Sequence, residues 1–455
     1  SDPDPRREVR SRIEAVVIPL VSVLIAFIIG GILIWLQGVN PFTAYKVLFT
    51  AALGNETGLE RVMEKSTPLI LTGLAVVIGL RAGLFNIGAQ GQLLVAAIGA
   101  AWAGYAFQLP TIIHLPFCLV FGMLCGAAWA SIAGVLRAYR RVSEVITTIM
   151  LNSIAIALVD YLASQPLKEP DQPLTRTPAI AETAALPRIG ILPLGFVIAI
   201  AVAVFLGWFL VRTTEGFRFN TVGLNPNAAR YAGMSVRGTI VLAMAVSGAL
   251  AGLGGAIETV GITGRFEPAF NAGLGFDGIT IALLARANPI ATIPAAILVG
   301  VLRTGAASLQ FETGIEPEVV DVILALTLLF VAAPIVGRVM FAGFFGAALS
   351  GSMILGVLLG VGTGMLMGAF LATGAVAWKM DQIIAGTVIN IVAVGLTSFF
   401  YVQGKVLPDI FPIVAIPGLA DLPLIGPVLF DNNLFTYAAI IIVVLLQFLL
   451  FRTRW

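Results

Sequence analysis

Long apolar runs broken by short polar stretches recur along the whole chain, and the breaks predict where helices begin and end. A helix needs roughly 20 mainly apolar residues to cross about 30 Å of hydrocarbon. On that measure, spans are predicted near 14–36, 66–82, 88–107, 115–136, 144–164, 191–211, 238–261, 275–287, 289–310 and 319–336. A second set follows near 340–351, 353–378, 382–402 and 433–451, about fourteen spans in all. The fold expected is all-α, a polytopic membrane helix bundle. Ten helices would form a complete first unit, 1–338, and about four a partial second unit, 339–455.

Composition supports the same solvent. The chain is 59% hydrophobic and 11% charged, with a mean hydropathy of +1.01, more apolar surface than a soluble core of this length can hide. An integral membrane protein in contact with the lipid bilayer follows. The net charge of +2 reflects topology and gives no reason to expect a nucleic-acid partner. With the N-terminus in the cytoplasm, seventeen Lys and Arg residues fall inside, Arg81, Arg137, Arg140, Arg212, Arg218, Arg230 and Arg286 among them. Eight fall outside, Lys46, Arg61, Lys65, Lys168, Arg176, Arg188, Arg265 and Lys405, and that bias supports the orientation. The polar N-terminal segment leads directly into a full-length span, as a cytoplasmic tail does, rather than ending in a cleavage site.

Few residues offer reactive chemistry. Cys118 and Cys125 lie on one face of one helix, so core packing is expected and a disulfide between them is excluded. His114, the only histidine, is expected as a solvated ring in a short external turn, and no metal-ligand spacing occurs.

A polar pattern occurs twice. Glu144-Val145-Ile146-Thr147-Thr148-Ile149-Met150-Leu151-Asn152 returns as Gln382-Ile383-Ile384-Ala385-Gly386-Thr387-Val388-Ile389-Asn390. The interval from Asn152 to Arg212 nearly equals that from Asn390 to Arg452, and each copy contains a Pro-rich loop, 165–190 or 403–432. Nothing after Arg338 resembles residues 1–92, so the second unit reads as a fragment joined to a complete first one.

Polar groups inside lipid-compatible helices are expensive and call for a reason. Glu144, Thr148 and Asn152 recur every four residues and form a stripe that either lines a route or bonds to neighbouring helices. The segment Arg81-Ala82-Gly83-Leu84-Phe85-Asn86-Ile87-Gly88-Ala89-Gln90-Gly91-Gln92 fits a broken helix pair that presents Asn86, Gln90 and Gln92 to a neutral polar solute. It fits equally a turn whose amides cap helix ends. In 223–234, Asn225 is placed to cap a helix starting at Pro226 and Gly233 to end it, giving a short helix outside the bilayer for a soluble partner, or else a solvated loop. The Gly252, Gly254, Gly255 group and the four-residue spacing of Gly356, Gly360, Gly364 and Gly368 read as close helix contacts. Arg286-Ala287-Asn288-Pro289 reads as a tight turn, and Arg303, inside a span, as the partner of a buried acceptor.

Together, Phe85-Asn86-Ile87-Gly88 with Gly91-Gln92, the Glu144 to Asn152 helix and the Gly223-x-Asn225-x-x-Ala228-Ala229-x-x-Ala232-Gly233 loop resemble bacterial ABC importer permeases. The likeness is to the nucleoside and simple-sugar branch of a group that includes branched-chain amino acid permeases. It covers 14–338 as a near-complete subunit, whereas 340–455, with Asp381 to Asn390 and Ile416-Pro417-Gly418-Leu419, resembles the middle of a partner permease. The resemblance implies a multi-pass protein of the bacterial inner membrane that works with a second permease subunit, cytoplasmic ABC ATPase subunits and an external solute-binding protein or lipoprotein. Gly223, Asn225, Pro226, Ala228, Ala229, Arg230, Ala232 and Gly233 would form the loop that couples to the ATPase. Asn86, Gln90, Gln92, Glu144, Thr148, Asn152 and Asn390 would be the substrate-pathway candidates. The sequence contains no Gly-x-x-x-x-Gly-Lys-Ser/Thr loop, so no cofactor is expected to bind directly and ATP would be used by the partner ATPase subunits. An ion-coupled secondary transporter of small polar solutes is the alternative, although it usually needs intramembrane carboxylates. An enzyme would need a nucleophile or metal constellation, and none is found.

Overall fold

The computed structural model describes residues 23–324, except 25, 36, 269–272, 316–318 and 322, together with 369, 413–415 and 431–433. Within 23–324 the helices are α1 (Ala26–Trp35), α2 (Pro41–Leu53), α3 (Glu56–Arg81), α4 (Ala89–Ala106), α5 (Thr111–Arg140) and α6 (Glu144–Ser164). They continue as α7 (Leu194–Arg212), α8 (Thr214–Leu224), α9 (Pro226–Tyr231), α10 (Val236–Glu258), α11 (Leu274–Leu284) and α12 (Thr292–Thr313). Among the described residues six helices are long and apolar enough to cross a membrane: α3, α5, α6, α7, α10 with its π-helical turn at Thr259–Thr263, and α12. The helical membrane architecture is therefore as expected, and the remaining spans of the predicted fourteen are shorter or less apolar here or lie wholly or partly outside the described residues.

Three predictions change in this part of the chain. Pro41–Leu53 was left between spans, yet it forms α2, begun by Asn40, whose side chain accepts from Phe42 N at 2.9 Å ahead of Pro41. The span predicted from 66 starts at Glu56, capped by Asn55, because α3 extends through a charged turn that hydropathy alone cannot read as helix. The span predicted at 275–287 is an 11-residue helix, α11. At about 1.5 Å per residue it covers only half of the hydrocarbon thickness.

The core is built on α3, whose residues from Ser66 to Gly79 are all buried. α10 packs on it and makes its closest approach to α5. There Gly126 faces the Gly248 carbonyl so closely that a Cβ would collide with it, and Gly252 sits over Gly122 and Gly126. These contacts bear out the small-residue reading of that region. The bundle has two distinct ends. Arg81, Arg137, Arg140, Arg212, Arg237 and Arg286 cluster at one, where Arg237 lies 5.6 Å from the Tyr139 ring centre and Arg81 Nε donates to Ala287 O at 2.9 Å. At the other, residues 165–193 fold back over the helix ends. Ala181 N donates to Gly104 O at 2.9 Å, Leu186 N to Val260 O at 2.8 Å, and Ile180 N to Gly264 O at 2.9 Å. A two-residue hairpin, β1 (Arg188–Ile189) with β2 (Leu192–Pro193), ends this cover, and Arg188 pairs with Glu60 and Glu64.

That cover corrects the expectation for His114. The ring is fully buried in the first turn of α5, with Nε2 3.2 Å from Ala103 O and Nδ1 2.7 Å from Thr183 Oγ1. A carbonyl only accepts, so Nε2 carries the proton and Nδ1 accepts from the threonine hydroxyl. The cysteines are free, Cys118 buried and Cys125 half-buried, as expected for core packing. Tyr401–Trp455 is a separate unit, of which an antiparallel hairpin is described, β3 (Ile413–Ala415) with β4 (Asp431–Asn433). Asn390, the glycines from Gly356 to Gly368 and most of the predicted second unit lie outside the described residues.

Candidate functional site

The break between α3 and α4 is extended backbone that re-enters the bundle. Gly83 takes φ +71°, Leu84 N donates back to Gly79 O at 2.8 Å, and a Cβ on Gly223 of α8 would strike the Arg81 carbonyl. Glycine is required at 223 by that approach. Returning inward, the chain brings Asn86, Gln90 and Gln92 together with Asn152 of α6, all at most 4% exposed.

Each of these amides has its partners inside the protein. Asn86 and Gln92 exchange two hydrogen bonds of 3.0 Å, and Asn86 Nδ2 also donates to Ser247 Oγ of α10 at 2.8 Å, while its Oδ1 accepts from Gly88 N at 2.9 Å. Ser247 Oγ donates in turn to Ala75 O of α3. Asn152 Oδ1 accepts from Gly91 N at 2.8 Å, and its Nδ2 donates to Ile87 O at 2.9 Å. Gln90 Oε1 accepts from Gly275 N at 2.7 Å, in the first turn of α11. The cluster thus ties α3, α4, α6, α10 and α11 to one interruption of the chain, satisfying backbone groups that an unbroken helix would pair itself. Thr148, also buried, packs beside Gly88 and bonds to its own helix, and Glu144 forms an ion pair with Arg137 at 3.1 Å at the arginine-rich end.

The segment from Gly223 to Gly233 lies at that same end. Asn225 Oδ1 accepts from Asn227 N and Ala228 N, both at 3.0 Å, Pro226 opens α9, and Gly233 closes it with φ +78°. Ala229 is buried, whereas Pro226, Ala228, Arg230 and Ala232 are exposed and Tyr231 is 94% exposed. The preceding helix, α8, was not anticipated. Thr213 caps it through Gly216 N at 3.1 Å and Phe219 buries against Phe209, so α8 props α9 clear of the bundle.

A second polar group lies across α3, α10, α11 and α12. Arg303 Nε is 2.7 Å from Asp277 Oδ2, Arg303 Nη2 is 3.0 Å from Asp277 Oδ1 and 3.2 Å from Asp321 Oδ1, so Asp277 is the acceptor that sequence predicted for Arg303. Lys65 Nζ donates to Arg303 O at 3.1 Å. Glu258, 5% exposed, ends α10 within electrostatic range of Lys65 and Glu64. Sequence reading did not single out Lys65, Glu258 or Asp321. Their signal was a charge at the edge of an apolar run, and Lys65 was assigned instead to a loop.

Residues 58–332 match the family described as branched-chain amino acid transport system, permease component. The chain is 37% identical over 337 residues to the guanosine ABC transporter permease protein NupP of Bacillus subtilis, an alignment that covers 71% of this chain and 94% of that protein. It is 36% identical to the nucleoside ABC transporter permease protein NupB of Lactococcus lactis subsp. cremoris, covering 71% and 93%. It is 36% identical to the glucose ABC transporter permease protein TsgB13 of Haloferax volcanii, covering 72% and 89%. No solved structure matches.

Proposed function

The chain belongs to the family of permease components of branched-chain amino acid transport systems, and from that premise we propose that it is the membrane subunit of an ATP-driven importer of nucleosides or simple sugars. The observation that carries the reading is the 37% identity to a guanosine permease across 94% of that protein's length. In this reading the arginine-rich end is cytoplasmic, in keeping with the charge bias of short loops. Helix α9, held out by α8, is the handle for ABC ATPase subunits, and its exposed Tyr231 and Leu224 offer apolar anchors for a groove on that partner. ATP is hydrolysed there, since this sequence carries no phosphate-binding loop of the Gly-Lys-Ser/Thr type. A second permease completes the passage, and an external binding protein or lipoprotein delivers the solute at the end covered by residues 165–193. The membrane would be the bacterial inner membrane, with the N-terminus in the cytoplasm.

The amide cluster acts in this reading as the clasp of a broken helix, because its bonding capacity is directed at the protein itself. Ion-coupled transport draws on one observation, the buried carboxyl of Glu258 and the largely enclosed one of Asp277. Uptake of radiolabelled guanosine and glucose by cells that express the chain with its partner subunits separates the two. Import that survives a protonophore and requires a hydrolysis-competent ATPase supports the proposal, and import driven by a proton gradient without ATP defeats it.

A further inference from the structure

Among the described residues, five buried side-chain atoms lack a hydrogen-bond partner, and four of them fall at the end of α10, the start of α11 and the middle of α12. They are Glu258 Oε2, Asp277 Oδ2, Arg303 Nε and Thr304 Oγ1. Asp277 and Arg303 face each other as an ion pair, out of line for a hydrogen bond between those two atoms, but Glu258 Oε2 has no such counterpart. Buried polar atoms are almost always satisfied, so a local concentration of exceptions asks what else approaches them.

Depth makes the question sharper. Arg303 lies roughly 17 Å from the Thr292 end of α12 at 1.5 Å per residue, in the middle of that helix, and Lys65 reaches its carbonyl from the end of the charged stretch of α3. Lys65 is nonetheless exposed, and the side chains of Arg303 and Asp321 are 31% and 46% exposed. Charged groups at that depth do not face hydrocarbon. They face a second protein surface or a wet passage. A cleft of about 620 Å³ between α2, α3 and α12, lined by Lys46, Thr50, Asn55, Arg61, Ser308 and Glu312, opens at the same end as the 165–193 cover. Arg61 stands one helical turn from Lys65 on the same face of α3, so the polar surface runs from that cleft toward the middle of the bundle. The π-helical turn directly after Glu258 adds a distortion of a kind that often marks functional sites.

We propose that Lys65, Glu258, Asp277 and Arg303 form the site where the solute is held within the membrane, and that the site accepts a neutral, hydroxyl-rich molecule. The proposal rests on the permease reading above. Carboxyl oxygens of Glu258 and Asp277 accept from vicinal hydroxyls, and Lys65 and Arg303 donate to ring or carbonyl oxygens.

The test uses the purified transport complex and two measurements. Radiolabelled guanosine and glucose are bound in parallel to wild type and to Glu258→Gln, whose side chain has nearly the same volume. Separately, Lys65→Cys is labelled with a membrane-impermeant methanethiosulfonate, from each side of the membrane, against a background of Cys118 and Cys125. The expected result is that Glu258→Gln weakens binding of the transported solute about tenfold, the equivalent of one hydrogen bond, while ATPase co-purification is unchanged. That solute also slows labelling at position 65. Equal binding by wild type and variant, or a cysteine that is unreactive or unprotected because it packs on the second permease, overturns the site alone. If Glu258→Gln fails to assemble, the cysteine measurement decides. A wild-type complex that binds and imports neither solute defeats the functional reading and this site with it.

Discussion

The bundle contains two sets of interacting polar side chains, and they differ in where their hydrogen bonds go. Asn86, Gln90, Gln92 and Asn152 are at most 4% exposed and bond to one another, to Ser247 and to the backbone of the α3–α4 break. Lys65, Glu258, Asp277 and Arg303 are coupled by charge, partly open, and include buried atoms without partners. The contrast teaches that a polar residue in a membrane helix is diagnostic only once its partners are known. A satisfied network spends its bonding capacity on the protein itself, and an unsatisfied one leaves some of it open.

The largest test breaks the satisfied set. Asn86→Leu removes partners from Gln92 and Gly88 N together and is expected to destabilise the protein by about 3 kcal/mol, at roughly 1 to 3 kcal/mol per orphaned buried group. Thermal unfolding of the purified protein measures this, and a melting temperature within error of wild type would show that the cluster is not a clasp. Next, Arg303→Gln leaves Asp277 without its countercharge. Breaking a fully buried pair costs about 3 to 5 kcal/mol, but Arg303 is 31% exposed, so a loss of about 2 kcal/mol is expected, with uptake falling far more than stability. Stability and uptake falling in the same proportion would erase the difference between the two sets.

A surface amide sharpens the comparison. Asn225→Ala removes the cap of α9 and should cost about 1 kcal/mol, with weaker ATPase co-purification as the more sensitive readout. Smallest of all is Asn225→Gly, expected within a few tenths of a kcal/mol of wild type, because glycine at a helix cap leaves the orphan N–H groups open to water. A loss from Asn225→Gly matching that from Asn225→Ala would show that α9 does not rely on this cap geometry.

Much of the α9 region is legible in the sequence, since Asn225, Pro226 and Gly233 encode cap, first turn and stop through local backbone preferences. The turn at Arg286 and Ala287, with φ of 51° and 54°, and the buried partner of Arg303 were legible for similar reasons: one is local, the other follows from the cost of a charge in a span. Helices α2 and α8 were not, because at 13 and 11 residues each is too short to register as a span. Their sequence signals are the caps at Asn40 and Thr213. His114 was misplaced because nothing near it in sequence shows that Thr183 and the 165–193 cover return to bury it.

Sequence by itself determined the solvent, the helical class and the family, because the hydrophobic demand of a bilayer is written into composition and local motifs. Only the tertiary structure decided which polar residues are spent on one another and which remain open. The partners concerned, Asn86 with Ser247, Gly91 with Asn152, Lys65 with Arg303, lie far apart along the chain, and a hydrogen bond depends on distances of a few ångströms that no local pattern carries.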